Sequence, residues 1–284
     1  MNVVFWASDK PRERILAEAF LEGVRKHGDT GEVRALQPEA SVAQDADVVC
    51  MVGVKSRELF QLHWRATAHT IMFDKGYTRQ GTTGGVRAWE YWRTSVDAHH
   101  PTHYLHKFNC PQDRADKVGM SFKPWRKDGK HVIFAGSSAK YHDFYNLGDP
   151  TEYADKYIRR LRTRTGRKII YRPKPSWRDA VPVSAAEFSR EGSIYDLLED
   201  AWALVTHGSN ACFEAVSMGI PCIILGDAVA KDISSTDLDM IEKPYLATDK
   251  QRRQWFNNLA YQQWNLREMA SGEAWKFMRP VIYG

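Results

Sequence analysis

The segment from His207 to Asn210 combines residue types that suit a phosphate-binding turn. It stands between an apolar run, Ala203 to Val205, that predicts a buried strand, and Ala211 to Met218, which predicts a short helix. Gly208 would let the backbone approach a ligand closely, and Ser209 or Asn210 can cap the helix. Free N–H groups at a helix start attract anions, so this turn is a candidate phosphate site.

Glu214 lies about one helical turn beyond that segment, where a carboxylate can accept hydrogen bonds from ribose hydroxyls. Gly219-Ile220-Pro221 then ends the helix and starts a predicted strand, Ile220 to Leu225. Strand, turn, helix and strand together make one βαβ unit. The alternative is that these residues only cap and end a βαβ unit, because short glycine motifs often have no ligand.

Length and composition favour two globular domains. The chain has 284 residues, 43% of them hydrophobic and 26% charged, and no apolar stretch reaches the roughly 18 residues that span a bilayer. The first residues lack the pattern of a secretion signal, so we expect a cytoplasmic protein. Cys50, Cys212 and Cys222 lie in apolar contexts typical of core residues, whereas Cys110 is undecided.

Predicted strands and helices alternate along the chain, as in parallel βαβ folds. The predicted strands are Val3 to Ala7, Val33 to Leu36, Val48 to Val52, Thr70 to Phe73, Val132 to Ala135 and Lys168 to Arg172, besides the two above. The predicted helices are Arg12 to Lys26, Ser56 to Ala66, Thr151 to Arg164, Ile194 to Glu199, and Lys250 to Met278 with a break near Ser271-Gly272. Gly81 to Gly85 is predicted as a flexible loop, and Lys123 to Lys130 as the boundary between the halves. We therefore predict an α/β fold with two Rossmann-like domains, 1–125 and 126–284, the second carrying terminal helices.

The His-Gly-Ser-Asn turn, followed by Glu-Ala and Gly-Ile-Pro, resembles the second half of GT-B glycosyltransferases and of their relative, the non-hydrolysing nucleotide-sugar 2-epimerase. The segment Tyr171 to Pro175 resembles the basic strand end of capsule-type and lipopolysaccharide-type transferases, where a cation faces phosphate. The resemblance implies two domains facing a cleft closed by C-terminal helices, with a nucleotide-sugar, first of all a UDP-sugar, as co-substrate and no tightly bound cofactor. It assigns to the donor site Gly136, Ser137, Arg172, Lys174, His207, Gly208, Ser209, Asn210 and Glu214.

An inverting enzyme of this type needs a general base, and such a base follows a strand of the first domain. The candidates are Asp9, Asp74 and the histidine group around His100. Asp9 could instead cap the next helix, and Asp74 could form a structural ion pair with Lys75. Pro101 interrupts the histidines and no carboxylate completes a ligand set, so we predict no metal site.

A basic block from Lys156 to Arg178 contains ten Lys or Arg residues and no acid. It is either a solvated surface or a contact to a polyanion, for which Arg160, Arg162 and Arg164 are the candidates for binding double-stranded DNA. The C-terminal stretches 259–264 and 269–275 are similar to small glycosyltransferase-like proteins of tailed bacteriophages. These features suggest a hydroxymethylated pyrimidine in phage DNA as acceptor, which would have to be flipped out of its stack.

The leading hypothesis is therefore a metal-independent glycosyltransferase that moves a sugar, hexosyl or related, from a nucleotide-diphosphate donor to an acceptor hydroxyl. A saccharide acceptor, of the capsule or lipopolysaccharide type, is the first alternative to DNA. A nucleotide-sugar epimerase and a nucleotide-sugar-binding protein without turnover are the others. The sequence does not indicate the oligomeric state, the sugar or the stereochemistry.

Overall fold

The computed structural model describes residues 1–36, 45–53, 69–78, 80–83 and 86–283. The chain forms two compact units, Met1–Gly119 with Asn257–Gly284, and Met120–Phe256. The sequence predicted the boundary near residue 125 and assigned the C-terminal helices to the second domain. In the structure the chain returns to the first unit at Asn257, because the C-terminal helices bury their apolar faces there.

The described residues form thirteen strands and ten α-helices. The strands are β1 (Asn2–Ala7), β2 (Thr30–Ala35), β3 (Val48–Val52), β4 (His69–Lys75), β5 (Gln80–Thr83), β6 (Val86–Trp89), β7 (Trp92–Val96), β8 (His131–Ala135), β9 (Lys168–Arg172), β10 (Glu187–Phe188), β11 (Ala201–Thr206), β12 (Cys222–Ile224) and β13 (Gln263–Trp264). The helices are α1 (Pro11–Lys26), α2 (Thr102–Leu105), α3 (Asp113–Val118), α4 (Ala139–Tyr145), α5 (Pro150–Arg162), α6 (Ile194–Leu198), α7 (Ala211–Ser217), α8 (Asp249–Ala260), α9 (Leu266–Ser271) and α10 (Glu273–Tyr283).

The first unit is built on a six-stranded sheet with the order β13-β7-β4-β3-β1-β2. β2, β1, β3 and β4 are parallel, as predicted, and β7 and β13 extend the sheet antiparallel. The predicted loop at Gly81 to Gly85 is wrong for Gly81 to Thr83, which belong to β5 and pair antiparallel with β6, whereas Gly84 and Gly85 lie outside the described residues. The predicted helix Ser56 to Ala66 lies outside the described residues.

Aromatic side chains form the centre of the first unit's core. Phe20 on α1 contacts Phe5 of β1, Phe73 of β4 and Trp275 of α10, with ring centroids 6.4, 4.9 and 5.8 Å apart. All four rings are fully buried. The apolar stripe predicted for α1 therefore covers the sheet on one side and receives the C-terminal helix on the other.

The second unit has a five-stranded sheet, all parallel, with the order β10-β9-β8-β11-β12. Its strands are short apolar runs. Val132 and Phe134 of β8, with Ala203 and Val205 of β11, bury their side chains with those of α5 in one core. The sequence located β8, β9, β11, α5, α6 and α7 to within a few residues and did not predict β10 or α4.

The C-terminal segment is only partly the interrupted helix that the sequence predicted. The break at Gly272 is confirmed, because this residue has φ of 94°, a conformation that glycine adopts without strain. A second interruption at β13 was missed: its two residues pair with Trp92 and Arg93 of β7. No helix in the described ranges combines the length and apolarity needed to cross a membrane.

The buried carboxylate of Asp29 ties the C-terminal helix to the first unit. It accepts hydrogen bonds from Trp275 Nε1 at 2.8 Å, Arg279 Nε at 3.0 Å and the amino terminus at 2.6 Å. Burial alone would raise the pKa of Asp29, but these three donors outweigh burial, so the pKa is lowered.

We predict that Asp29→Asn lowers the free energy of unfolding by about 2–4 kcal/mol, because charged donors lose a buried acceptor. A lowered native pKa means that the contribution is complete above the ordinary aspartate value of about 4 and is lost as pH falls below it. Urea unfolding at pH 7 and pH 3 measures both effects. Glu22→Gln, which removes an exposed pair with Lys26, is the control. Equal losses in the two variants, or a loss that is the same at both pH values, would contradict this role.

Candidate functional site

Three parallel strands of the second unit end on the same row of the sheet. Ala135 of β8 pairs with Arg172 of β9 on one side and with Thr206 of β11 on the other. The Thr206 hydroxyl donates to the Ala135 carbonyl at 2.8 Å, and the Gly136 N–H donates to the Arg172 carbonyl at 2.9 Å. The turns that follow β8 and β11 therefore lie side by side, one strand spacing of about 4.8 Å apart.

The edge formed by these two turns is a topological switch point. From β8 the chain proceeds to β9 and β10 on one side, and then to β11 and β12 on the other. The crevice where the strand order reverses is the usual ligand-binding position of open parallel sheets. We call the turns 136–138 and 207–210 the switch-point edge, and seven of the nine sequence-predicted donor residues lie in these turns or, in the case of Arg172, at the end of the neighbouring strand. Six of them are in the turns themselves: Gly136, Ser137, His207, Gly208, Ser209 and Asn210.

Backbone amides at the switch-point edge can bind an anion. In the described part of the chain, the N–H groups of Ser137, Ser138, Gly208 and Asn210 have no hydrogen-bond partner. The Ser137 hydroxyl is also buried and without a partner among the described residues. Backbone amides that are free of other partners on adjacent turns are the kind of donors that bind phosphate in proteins.

Of the two caps that the sequence left open for helix α7, only Ser209 bonds the first amide of the helix. The Ser209 hydroxyl accepts from the Ala211 N–H at 3.3 Å, and the Ser209 N–H donates to Thr206 Oγ1 at 3.0 Å. Asn210 makes no side-chain cap. Because Cys212 and Phe213 donate to carbonyls of this turn, the amides that remain are those of the turn itself.

Gly208 is required by protein packing. A Cβ atom at this position would lie 1.7 Å from the Tyr141 hydroxyl, which donates to the Asp227 carbonyl at 2.9 Å. The expected close approach of backbone to a ligand is therefore an approach to Tyr141 in this structure. The tyrosine links α4 to the loop after β12 and holds the turn in place.

His207 is held among tyrosines. Its Nδ1 lies 2.6 Å from the Tyr153 hydroxyl, and its ring contacts those of Tyr141 and Tyr145. Gly226 packs against the same imidazole, where a larger residue would not fit, since its Cβ atom would lie 2.1 Å from Nε2. Burial, reinforced by the charge of His142, lowers the pKa of His207 to about 4. At neutral pH His207 can therefore act toward a phosphate as a neutral hydrogen-bonding group and not as a cation.

Arg172 and Lys174 differ in their surroundings. The buried guanidinium of Arg172 donates to the carbonyls of Ser189, Glu191 and Gly192, so it holds the loop after β10. Lys174, two residues further on, is exposed and is the better placed of the two to reach an anion in solution. Glu214 lies half-buried in the first turn of α7. Burial, and to a smaller extent the charge of Glu214, raises the pKa of Tyr195. The donor-binding roles of Arg172, Lys174 and Glu214 stay predictions.

The first unit has its own switch point, between β1 and β3, and Asp9 follows β1 there. The Asp9 side chain is 96% exposed and pairs with Arg14 at 2.6 Å. It does not cap α1, since the helix has no side-chain cap. Buried Glu13, which the sequence analysis missed, accepts from the hydroxyl and N–H of Ser8 at this position instead.

Asp74 and His100, both predicted from sequence, belong to one buried cluster. Arg93 of β7 connects them: its Nη2 donates to Asp74 Oδ2 at 2.9 Å and to His99 Nε2 at 2.9 Å. Its Nη1 donates to His100 Nδ1 at 2.7 Å and to the Tyr77 hydroxyl at 3.0 Å. The sequence offered Lys75 as the ion-pair partner of Asp74. Asp74 does form an ion pair, but its partner is Arg93.

Electrostatics assign different states to the cluster's members. Burial would raise the pKa of Asp74, but Arg93 and His99 outweigh burial and lower it far below the ordinary range. Burial and the Arg93 charge lower the pKa of His100, so this imidazole is neutral. His100 has no exposed surface, whereas the Asp74 side chain is 33% exposed. Of these two candidates, only Asp74 can touch a substrate in this conformation.

The predicted nucleic-acid contacts are largely engaged within the protein. Arg162 donates to the carbonyls of Arg167 and Ala185, and Arg164 pairs with Asp239. Arg160 is exposed and lies over the ring of Tyr157 at 5.4 Å. Within the described ranges, no group of three His, Cys, Asp or Glu residues could hold a metal ion, and all four cysteines are buried thiols.

The similarity of this chain to known proteins lies in its structure. The sequence matches no protein-family model and no curated protein. In structure, the chain is similar to Thermosulfurimonas dismutans KpsC, beta Kdo 2,7 transferase, with a TM-score of 0.59 and 14% identity over 98% of this chain and 100% of that one. It is also similar to the beta Kdo 2,4 transferase of the same KpsC, with a TM-score of 0.52 and 14% identity over 93% and 91%. The chain thus has the α/β fold of GT-B glycosyltransferases, with two Rossmann-like units, as the sequence predicted. Neither match is a bacteriophage protein.

The state of His207 can be measured directly. We predict that its imidazole titrates near pH 4, because burial disfavours the charged form, and not near the ordinary value of about 6.5. Histidine NMR resonances followed from pH 8 to the acid limit of folding test this, with His207→Gln used to assign the signal. A midpoint for His207 close to the ordinary histidine value of about 6.5 would contradict the burial and the uncharged state described here.

Proposed function

We propose that the protein is a glycosyltransferase that binds a nucleotide-activated sugar at the switch-point edge and transfers the sugar to an acceptor hydroxyl. The observation that carries the proposal is the set of amides of Ser137, Ser138, Gly208 and Asn210 on two adjacent turns. Such donors stabilise the charge that develops on a departing phosphate, since they are fixed before the reaction begins. The fold supports the same reading, because the matched structures are glycosyltransferases.

In this proposal three further residues of the predicted donor site each bind a different part of the nucleotide-sugar. Lys174 supplies the cation beside the phosphates, and neutral His207 adds a hydrogen bond. Glu214 accepts hydrogen bonds from the ribose. The diphosphate form of the donor and uridine as its base are kept as the first choice for testing, and no step of the proposal uses a metal ion.

A saccharide hydroxyl is the acceptor that the observations favour. Both matched structures are named as beta Kdo transferases, and they share the fold along almost the whole chain. The DNA hypothesis has weaker support, because Arg162 and Arg164 direct their guanidinium groups to protein carbonyls and to Asp239. A hydroxymethylated pyrimidine in duplex DNA therefore remains the second acceptor to be tested.

Incubation with a panel of nucleotide-sugars tests the proposal. Each donor is offered with oligosaccharides, with hydroxymethylated duplex DNA, or without acceptor, and products are followed by mass spectrometry. Transfer to a saccharide is the expected result. Transfer to DNA would change the assigned acceptor from a saccharide to DNA. Conversion of the donor without acceptor would favour an epimerase. Nucleotide binding without any turnover would favour a binding protein.

Glu214 offers a sharper test of the donor site. We predict that Glu214→Ala weakens UDP binding by roughly 10- to 100-fold, because hydrogen bonds to a charged group contribute about 1.5–3 kcal/mol. Isothermal titration calorimetry measures the affinity, and circular dichroism confirms folding. Glu199→Ala, which removes an exposed carboxylate of the same unit, is the matched control. If the two variants bind UDP equally well, Glu214 does not contact the nucleotide.

Asp9 is the proposed general base. It follows β1 at the first unit's switch point and is open to solvent, whereas the ion pair with Arg93 makes Asp74 a weak proton acceptor. β3 lies between β1 and β4, so the strands carrying the two aspartates are about 9–10 Å apart. Asp74 then serves to neutralise Arg93.

We predict that Asp9→Asn lowers kcat by roughly 100-fold or more while donor affinity is retained, as expected for loss of a base. Asp74→Asn should instead lower the free energy of unfolding by about 3–5 kcal/mol, because Arg93 loses its carboxylate inside the protein. Steady-state kinetics and urea unfolding of both variants separate the two roles. A normal kcat for Asp9→Asn together with a large loss for folded Asp74→Asn would exchange the assignments.

A further inference from the structure

The first unit contains a pocket of about 520 Å³ that is lined by none of the candidate site residues. It lies where α3, β13 and α10 meet. Successive residues of a strand face opposite sides of the sheet, and β13 uses both: Gln263 reaches the Tyr77 N–H with its side chain, and Trp264 lines the pocket. A volume of this size falls within the range of small-molecule sites.

Three aromatic rings in mutual contact form the apolar part of the pocket. Tyr261 and Trp264 have ring centroids 6.4 Å apart, Tyr261 and Phe277 5.2 Å, and Trp264 and Phe277 5.8 Å. Tyr261 and Phe277 are only half-buried, so they present ring surface to the pocket. Packing fixes the three rings before any ligand arrives, which lowers the entropic cost of binding.

Arg114 holds this wall in place. Its guanidinium stacks on Trp264 at 3.8 Å and bonds both oxygens of Glu268, at 3.1 and 2.7 Å. Both charged groups are buried and compensate each other. The guanidinium also donates to the carbonyls of Ala260 and Gln263, so its donors are engaged within the protein.

The rim of the pocket carries charges of both signs. Asp113 and Glu273 supply carboxylates, and Lys117 and Lys276 supply ammonium groups, of which that of Lys117 is paired with Glu268 at 2.6 Å. All four side chains belong to exposed residues. The Tyr261 hydroxyl donates to Asp113 at 2.9 Å, which connects the rim to the aromatic wall.

This balance selects the chemistry of the ligand. An anion would meet two carboxylates, and a cation would meet two ammonium groups, so neither gains from the rim as a whole. A hydroxyl both donates and accepts, and therefore uses groups of both signs. The C–H faces of a sugar ring can pack on the aromatic wall while its hydroxyls meet the rim.

We propose that this pocket binds a neutral saccharide, at a site whose lining residues are separate from those of the nucleotide-sugar site. The proposal is independent of transferase activity, since it concerns the first unit's surface alone. A site of this kind would hold a sugar chain on the protein.

Saturation-transfer NMR and calorimetry with methyl β-glucoside, N-acetylglucosamine and lactose test the proposal. Sodium glucuronate and glucosamine hydrochloride are the anionic and cationic counterparts. We expect a neutral sugar to bind with a millimolar Kd and its charged counterparts to bind at least about tenfold more weakly. Absence of binding by all three neutral sugars at about 50 mM, or tighter binding of glucuronate, would overturn the proposal.

Variants locate the binding. Tyr261→Ala removes one ring of the wall, and Lys276→Glu changes the rim at an exposed position where folding is not at risk. Both are expected to weaken sugar binding at least about tenfold. Tyr245→Ala, at an exposed tyrosine of the second unit, is the control and should bind normally. Unchanged binding in Lys276→Glu, or an equal loss in Tyr245→Ala, would place the sugar elsewhere and overturn the assignment.

Discussion

The parallel register of β8, β9 and β11 is the constraint on which the candidate site depends. Ala135, Arg172 and Thr206 lie on one row, so the chain must turn at the same edge three times. The Thr206 hydroxyl reinforces this arrangement twice, as donor to the Ala135 carbonyl and as acceptor from the Ser209 N–H. A slip of one residue would turn each side chain to the opposite face and separate the two turns. The two turns of the switch-point edge lie side by side because this register is held.

A different constraint acts in the first unit, where a guanidinium is buried. Arg93 is 2% exposed, and a buried charge is tolerated only when it is paired and hydrogen-bonded. Asp74 supplies the opposite charge, and His99, His100 and Tyr77 supply hydrogen-bonding groups. The same contacts keep His100 neutral and Asp74 ionised, so charge compensation decides which group is available for proton transfer.

Much of the architecture could be predicted from the sequence, because its strands are short apolar runs separated by glycine-containing turns. That pattern located β1, β3, β4, β8, β9 and β11, and it brought the donor candidates to one edge. It could not identify β7, whose polar residues Arg93, Thr94 and Ser95 are buried by contacts distant in sequence. The C-terminal helix returns to the first unit through the contacts of Trp275 with Asp29 and Phe20. These residues are about 250 positions apart in the sequence, so no local pattern could connect them. Similarly, the spacing of the histidines gave no sign that Arg93 joins them to Asp74.

The most direct test of the account is the position of a nucleotide in a crystal structure of the protein grown with UDP. The account predicts phosphate oxygens within hydrogen-bonding distance of the amides of Ser137 or Ser138 and of Gly208 or Asn210, with the ribose beside Glu214. A nucleotide bound at any other place, or phosphates that make no contact with the switch-point edge, would contradict it.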